Sequence, residues 1–415
     1  VKKIIHPAHY HGTLNAPASK SYLQRAIALA CLADGISVIE GYTPSKDVDA
    51  AIRIIREMGA QVSIENNQLT IQGVGLPAKK MILNCGESGL STRMFSPIAA
   101  LSNQEVVITG EGSLLSRPMQ MIEDALTKLG KHVRTTNGKL PITLTGDLKS
   151  GKIIVDGSES SQLITGLLMA LPLLKTDSEV HVMNPTSIPY IQMTLDILAD
   201  FGIHVPHENY SNYHIAARQK VQPTNYKVEG DWSGAAFHLV AAAITGEVTL
   251  QNLNSKSAQA DREILSVLES CGAKLVVEEN EITVSKNQLN AFQFDATQCP
   301  DLFPPLAALA ACCIGVSEIK GVSRLKNKES DRGISIQSEF KKLGIDVEIA
   351  DDVMHIHGGK VTGGIVDSHN DHRMAMALAV LGLVSENAVE IDGAEAVTKS
   401  YPGFFEDFEG LTSLS

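Results

Sequence analysis

The stretch Tyr22–Leu32, YLQRAIALACL, decides the fold, because it is apolar on nearly every side and its like returns five more times. The later copies are Met94–Leu101 (MFSPIAAL), Leu163–Leu174 (LITGLLMALPLL), Ala235–Ile244 (AAFHLVAAAI), Leu302–Ile314 (LFPPLAALAACCI) and Met374–Val384 (MAMALAVLGLV). A helix apolar all round must be enclosed by its own protein, so six of them require six units with covered cores. Each run follows a short polar start: Ser19-Lys20-Ser21, Ser88-Gly89-Leu90-Ser91, Ser160-Ser161-Gln162, Asp231-Trp232-Ser233, Pro300-Asp301 and Asn370-Asp371-His372-Arg373. Ser21, Ser91 and Ser161 lie 70 residues apart, and Ser233 follows 72 later. A helix start offers unpaired N–H groups and partial positive charge, which suits an anion.

The second half of each block repeats as well. An amphipathic helix closes on glycine at Met58-Gly59, Leu129-Gly130, Phe201-Gly202, Cys271-Gly272 and Leu343-Gly344, where a left-handed residue carries no steric cost. Alternating stretches follow, such as Ala60–Ile64 and Gln68–Gly73, split by Asn66-Asn67. Glu278-Glu279-Asn280 and Ala350-Asp351-Asp352 stand at the same place, and all three read as hairpin turns. Each unit is β-α-β-α-β-β in outline. The period exceeds that of common solenoids, which points to duplication of a subdomain. The sixth copy runs out after Phe405–Gly410, so strand-like Lys2–Ile5 and Tyr10–Asn15 are expected to supply its missing strands. That makes one discontinuous domain, 1–18 plus 229–415, with a second domain, 19–228, inserted in it. Crossings fall near 15–19 and 226–231, with three units on each side.

Composition narrows the function. The chain has 415 residues, 44% hydrophobic and 20% charged, with a net charge of −12. No Lys/Arg run appears, which argues against a nucleic-acid partner. The apolar runs are shorter than the ~18 residues of a membrane span, and the start VKKIIHP breaks too early for a signal peptide. Six scattered cysteines without a C-x-x-C pair suggest reduced packing residues in a cytoplasmic protein. Gly146–Lys152 has phosphate-loop spacing, but Ile153 replaces the required Ser/Thr and a strand follows. His355-x-His357 lacks a third metal ligand and reads as a solvated strand face. His369 and His372 belong to a helix start, so no metal is expected.

Cations gather at the polar starts and the turns before them: Lys20, Arg25, Arg93, Arg117, Lys328, Arg332, Arg373 and Lys399. Arg117 stands in Ser116-Arg117-Pro118, where proline is expected to mark the first turn of an amphipathic helix. If rotation relates the units of each domain, their buried helices run parallel and their starts converge. Eight cations would then ring one cleft between the domains. Such a cleft suits a ligand carrying phosphates and carboxylates, with arginine forks for the oxyanions and lysines as movable charges. Asp301 and Glu329 would lie among these cations, ready for proton transfer.

Taken in order, the motifs resemble the enolpyruvyl transferase family over essentially the full length. They are Ala16-Pro17-Ala18-Ser19-Lys20-Ser21 with Arg25, Ser88-Gly89 with Arg93, Arg117-Pro118, Asp156-Gly157-Ser158 with Ser160-Ser161-Gln162, Pro189-Tyr190-Ile191, Lys328-Glu329-Ser330-Asp331-Arg332, Asn370-Asp371-His372-Arg373-Met374-Ala375 and Lys399-Ser400-Tyr401-Pro402. The resemblance implies an α/β fold of two domains, each with three β-α-β-α-β-β units around buried parallel helices. That is an inside-out α/β barrel with a sixfold internal repeat, closing on substrate. It implies transfer of the enolpyruvyl group of phosphoenolpyruvate to the 5-hydroxyl of shikimate 3-phosphate, with release of phosphate, in aromatic amino-acid synthesis. By the same resemblance Lys20, Ser21, Arg25, Ser160, Ser161, Gln162, Ser187, Asp301 and Lys328 would hold shikimate 3-phosphate. Lys20, Gly89, Arg93, Arg117, Gln162, Arg332, Arg373 and Lys399 would hold phosphoenolpyruvate. Asp301, Glu329, Lys20 and Lys399 would act in catalysis, in a monomer without a cofactor.

Three positions depart from the family pattern. Glu87 and Leu90 stand where relatives often have Asn and Thr, and Arg324 where an asparagine often contacts the shikimate phosphate. The alternative within the family is the transferase acting on UDP-N-acetylglucosamine. It carries a cysteine in the loop before the Arg117 position; Thr109–Arg117 here has none, and Ser160-Ser161-Gln162 favours the shikimate substrate.

Overall fold

A computed structural model of the chain describes residues 1–414. The six apolar runs are helices: α1 (Lys20–Leu32), α2 (Gly89–Ala99), α3 (Gln162–Ala170), α4 (Trp232–Thr245), α5 (Phe303–Ala311) and α6 (His372–Gly382). Every residue of α2, α5 and α6 is buried, as their all-round apolar pattern requires. Helix α3 gives way to a 3-10 turn at Leu171–Leu173, where Pro172 cannot donate to the ladder. A 3-10 turn, Pro300–Leu302, precedes α5 and carries Asp301.

Between these rods the surface helices close as their glycines demand. Gly59, Gly130, Gly202, Gly272 and Gly344 all have positive φ, from 78° to 113°. Asn66 and Asn67, at φ 47° and 59°, turn the hairpin between Gln61–Glu65 and Gln68–Gln72. In the second unit Met81–Asn84 runs parallel to Val106–Thr109, which pairs antiparallel with Lys139–Thr145, and His132–Thr136 lies at the edge. The third and fifth sheets repeat that order.

The first and fourth sheets reveal an exchange. The first takes its leading strand, Asn225–Lys227, from the far end of the inserted segment, parallel to Ile36–Glu40. The fourth takes Ala8–Asn15 from the N-terminus, parallel to Glu247–Gln251. The sixth sheet is Gly364–Asp367, Val389–Asp392 and Lys2–Ile5. So Lys2–Ile5 completes the sixth copy as expected, but the stretch containing Tyr10–Asn15 does not. It precedes the passage into the inserted segment, and it fills the place left open in the fourth sheet because Asn225–Lys227 pairs elsewhere. A short strand, Thr412–Leu414, also follows the last helix and pairs along Ala8–Tyr10.

The chain divides into two units, Lys20–Val228 and the remainder built from both ends. Within the latter, Ser19 donates to Glu229, Asp231 to Pro17 and Gly230 to Asn252, so the outgoing and returning segments lie side by side. A Cβ on Gly230 would come within 2.1 Å of the Asn252 carbonyl oxygen, which excludes any other residue there. Helices α4, α5 and α6 pack on one another in this unit. In Lys20–Val228, α2 packs on α3, and Gln24 of α1 donates to Ser88 and Ser91 at the start of α2, both at 3.0 Å. Among the described residues no helix is long and apolar enough to cross a membrane.

The α2–α3 approach is closest at Gly166, whose added Cβ would lie 2.4 Å from the Met94 carbonyl oxygen. Gly166→Ala should therefore wedge the helices apart and cost about 1–3 kcal/mol. Urea unfolding measures this; a loss below ~0.5 kcal/mol, within the range of neutral surface changes, would show that the contact is not tight.

Candidate active site

In the unit built from both ends, the starts of α5 and α6, the surface helix Arg332–Lys342 with the turn before it, and the 3-10 turn Ala394–Lys399 bring four cations against three carboxylates. Arg332 is completely buried, with a side-chain exposure of 0%. Its Nε donates to Asp371 at 2.8 Å, Nη1 to Asp301 at 2.8 Å and Nη2 to Glu329 at 2.6 Å. Asp301 also meets Arg373 Nη2 at 3.1 Å and Lys328 Nζ at 3.4 Å, and Glu329 receives Lys399 Nζ at 3.0 Å. Asp371 does two jobs, since it also accepts from the backbone N–H of Arg373 as the cap of α6.

Electrostatics here is a contest between burial and pairing. Burial pushes the Asp301 carboxyl up, but Arg373, Lys328 and Arg332 outweigh it and hold it well below the usual carboxylate range. Burial lowers the Lys328 amine, and the attraction of Asp301 only partly offsets this. Burial acts against the Arg332 guanidinium too, yet Asp371, Glu329 and Asp301 raise its pKa overall. Nearby, burial and the charge of Asp301 push Asp261 up to about 7, while a hydrogen bond from the Ser233 hydroxyl opposes them.

The inserted unit, Lys20–Val228, holds the other expected residues in three groups. Lys20 Nζ pairs with Asp47 at 2.9 Å. Arg25 is buried and spends its guanidinium on the protein: Nε donates to Thr194 at 3.0 Å, Nη1 to the Ser21 carbonyl at 2.8 Å and Nη2 to the Tyr190 carbonyl at 3.3 Å. Its burial lowers its pKa to about 10. The third group surrounds the start of α2. A Cβ on Gly89 would lie 3.0 Å from Arg117 Nη1, 3.2 Å from Arg93 Nη1 and 3.7 Å from Gln162 Oε1. Arg93 Nη1 donates to Gln162 at 2.9 Å. Two guanidinium groups therefore lie against the backbone at a helix start, an arrangement made for an oxyanion. Ser160 Oγ accepts from the Gln162 N–H, and Ser161 stands at the cap position of α3. Ser187, at φ 55° in the left-handed region, precedes the helix Ile188–Asp200.

Some expectations need correction. Arg117-Pro118 does not open a helix. Arg117 is extended after the 3-10 turn Gly112–Ser116, and the helix begins only at Gln120. Pro118 disfavours helical geometry in the residue before it, and that extended conformation accompanies the placement of Arg117 beside Gly89. His355-x-His357 does have acidic company, since Asp346 and Glu348 place ligand atoms within 4.8 Å of His357. Glu329, Asp371 and His372 also converge, but Arg332 and Arg373 already bond to them. Asp47 and Asp371, which hold Lys20 and Arg332, were not singled out for those roles from sequence. The available signal was position: Asp371 stands two residues before Arg373 at the start of α6, and Asp47 lies in the first turn of the helix Lys46–Met58.

Replacing Arg332 strands three carboxylates. Arg332→Met should cost about 3–5 kcal/mol of stability in urea unfolding; a loss under ~1 kcal/mol would contradict the buried network. Because the folded Asp301 carboxyl titrates below its unfolded value near 3.8, its stabilisation is complete above that pH and is lost as acid is added through the folded value. Asp301→Asn should flatten the acid limb of the stability profile.

The chain is also similar to known proteins over its length. The family model EPSP synthase (3-phosphoshikimate 1-carboxyvinyltransferase) matches residues 5–408. A 3-phosphoshikimate 1-carboxyvinyltransferase of Clostridium kluyveri is 39% identical over 410 residues, spanning 98% of this chain and 96% of that protein. One of Methanocorpusculum labreanum is 36% identical over 416 residues, spanning 99% and 98%. The solved EPSP synthase of Acinetobacter baumannii superposes with a TM-score of 0.85 at 30% identity, covering 100% of this chain and 98% of that one. A family model that matches residues 5–408 and full-length relatives at 36–39% identity lead to one conclusion: the chain belongs to the EPSP synthase family.

Proposed function

We propose that this chain transfers the enolpyruvyl group of phosphoenolpyruvate to the 5-hydroxyl of shikimate 3-phosphate and releases inorganic phosphate. The hydroxyl oxygen bonds to C2 of the enol while its proton leaves, and the methylene carbon gains a proton. The resulting tetrahedral intermediate loses phosphate, and loss of a methyl proton restores the double bond. No net oxidation or reduction occurs, so the chemistry requires no redox cofactor. What remains for the protein is proton transfer and the stabilisation of several negative charges.

The observation that supports this best is Asp301 beside Arg373, Lys328 and Arg332. Asp301 accepts the hydroxyl proton in this reading, and Glu329, paired with Lys399, serves the methylene carbon. A carboxylate held far below its ordinary range is a weak base. The substrates cure that weakness. As their phosphate and carboxylate groups engage Arg373 and Lys328, the attraction that keeps Asp301 acidic diminishes and its proton affinity rises. Lys20 and Lys399 assist departure of phosphate. Gly89, Arg93, Arg117, Gln162, Arg332 and Arg373 hold phosphoenolpyruvate together with those lysines. Lys20, Ser21, Arg25, Ser160, Ser161, Gln162, Ser187, Asp301 and Lys328 hold shikimate 3-phosphate. The same reading makes the chain a cytoplasmic monomer that acts on two small anions, with no nucleic-acid or membrane partner.

The test is release of phosphate from phosphoenolpyruvate with shikimate 3-phosphate, compared with UDP-N-acetylglucosamine as acceptor. Release is expected with the first and not the second; the reverse would overturn the reading. Asp301→Asn should lower kcat about 10²–10⁴-fold while leaving both KM values within about fivefold. An unchanged kcat would remove Asp301 from the mechanism.

A further inference from the structure

Glu87 directly precedes Ser88-Gly89, beside the residues proposed to hold phosphoenolpyruvate. It belongs to the loop that follows the strand Met81–Asn84 and leads into α2. Its Oε2 accepts from both the backbone N–H of Ser113, at 3.2 Å, and the Ser113 hydroxyl, at 3.1 Å. The same Ser113 hydroxyl oxygen accepts from Arg117 Nη2 at 3.3 Å. The other terminal nitrogen, Arg117 Nη1, is the atom that lies against Gly89. A relay thus runs from Glu87 through Ser113 to the guanidinium that faces the start of α2.

The two loops are joined at further points. Asn84 Nδ2 donates to Glu111 Oε1 at 2.8 Å, and the Glu111 N–H donates to the Gly86 carbonyl at 2.7 Å. Gly112 adopts φ 53°, and a Cβ there would lie 2.4 Å from the Glu87 carboxyl carbon. Any side chain at 112 would therefore displace the carboxylate from Ser113.

The geometry points to Glu87 as a positioning residue for the enolpyruvyl transfer proposed above: through Ser113 it fixes Arg117 over Gly89 for the anionic group of phosphoenolpyruvate. Two effects of the carboxylate oppose each other. Its charge repels an incoming anion, so its removal would tighten binding if charge ruled. Its hydrogen bonds set the direction of an arginine fork, whose value depends on alignment. We take alignment to win, because Ser113 engages the carboxylate through two donors and its hydroxyl oxygen also accepts from the guanidinium. The carboxylate also makes the Ser113 hydroxyl a donor, which leaves the hydroxyl oxygen's lone pairs facing Arg117.

The experiment is steady-state kinetics of full-length Glu87→Ala, Ser113→Ala, the double variant and Glu87→Gln, with thermal unfolding of each. Glu87→Ala should raise the KM for phosphoenolpyruvate about tenfold, with the KM for shikimate 3-phosphate within twofold of wild type. Ser113→Ala should do the same, and the double variant should be no worse than either, because all three break one relay. Glu87→Gln keeps a carbonyl acceptor and should restore the KM to within about threefold of wild type. A lowered KM in Glu87→Ala, additive effects in the double variant, or equal changes for both substrates would overturn the inference. A wild-type chain that releases no phosphate would instead defeat the proposed function, so the two failures are separable.

Discussion

The structure of the unit built from both ends depends on one buried guanidinium. Arg332 has no access to water, so its charge must be met by protein, and Asp301, Glu329 and Asp371 meet it. Each carboxylate then has a second obligation: Asp301 to Arg373 and Lys328, Glu329 to Lys399, Asp371 to the backbone of α6. Position is the product of this shared demand. Long flexible side chains that would sample many rotamers on a surface are held by bonds at both ends, which is the preorganisation that electrostatic catalysis needs.

The inserted unit reaches a comparable result by close approach. Gly166 lets α3 meet the backbone of α2, and Gly89 lets Arg93 and Arg117 lie against the start of α2. Glycine at 166 is a steric requirement of packing, since its neighbour is backbone, whereas at 89 it leaves room for two arginine side-chain ends. The buried helices thus contribute through their ends, where caps and cations collect, while their apolar lengths supply the rigidity.

Much of the fold was legible because burial leaves a periodic mark. An all-round apolar run can only be an interior helix, and a glycine after an amphipathic run can only be its end. Asn66-Asn67 fixed a hairpin because both residues tolerate positive φ. Strand partners were less legible. Ala8–Asn15 and Asn225–Lys227 alternate like any other strand, and nothing in their side chains says which sheet will receive them. Arg117-Pro118 was misread as a helix start because proline is common at both a first helical turn and an extended segment. At the site, cations in short motifs were visible, but their partners were not. Asp371 read as part of a polar helix start, and only three dimensions bring it to Arg332, 39 residues earlier.

The central claim is that caged cations keep Asp301 ionised until substrate anions draw them away. A carbon-13 titration of labelled aspartate carboxyls, with Asp301 identified by its loss in Asp301→Asn, tests this directly. The account predicts that Asp301 stays ionised at pH 4 in the free protein and titrates higher once shikimate 3-phosphate and a non-reacting phosphoenolpyruvate analogue are bound. A carboxyl that titrates at or above the ordinary aspartate value in the free protein would contradict it.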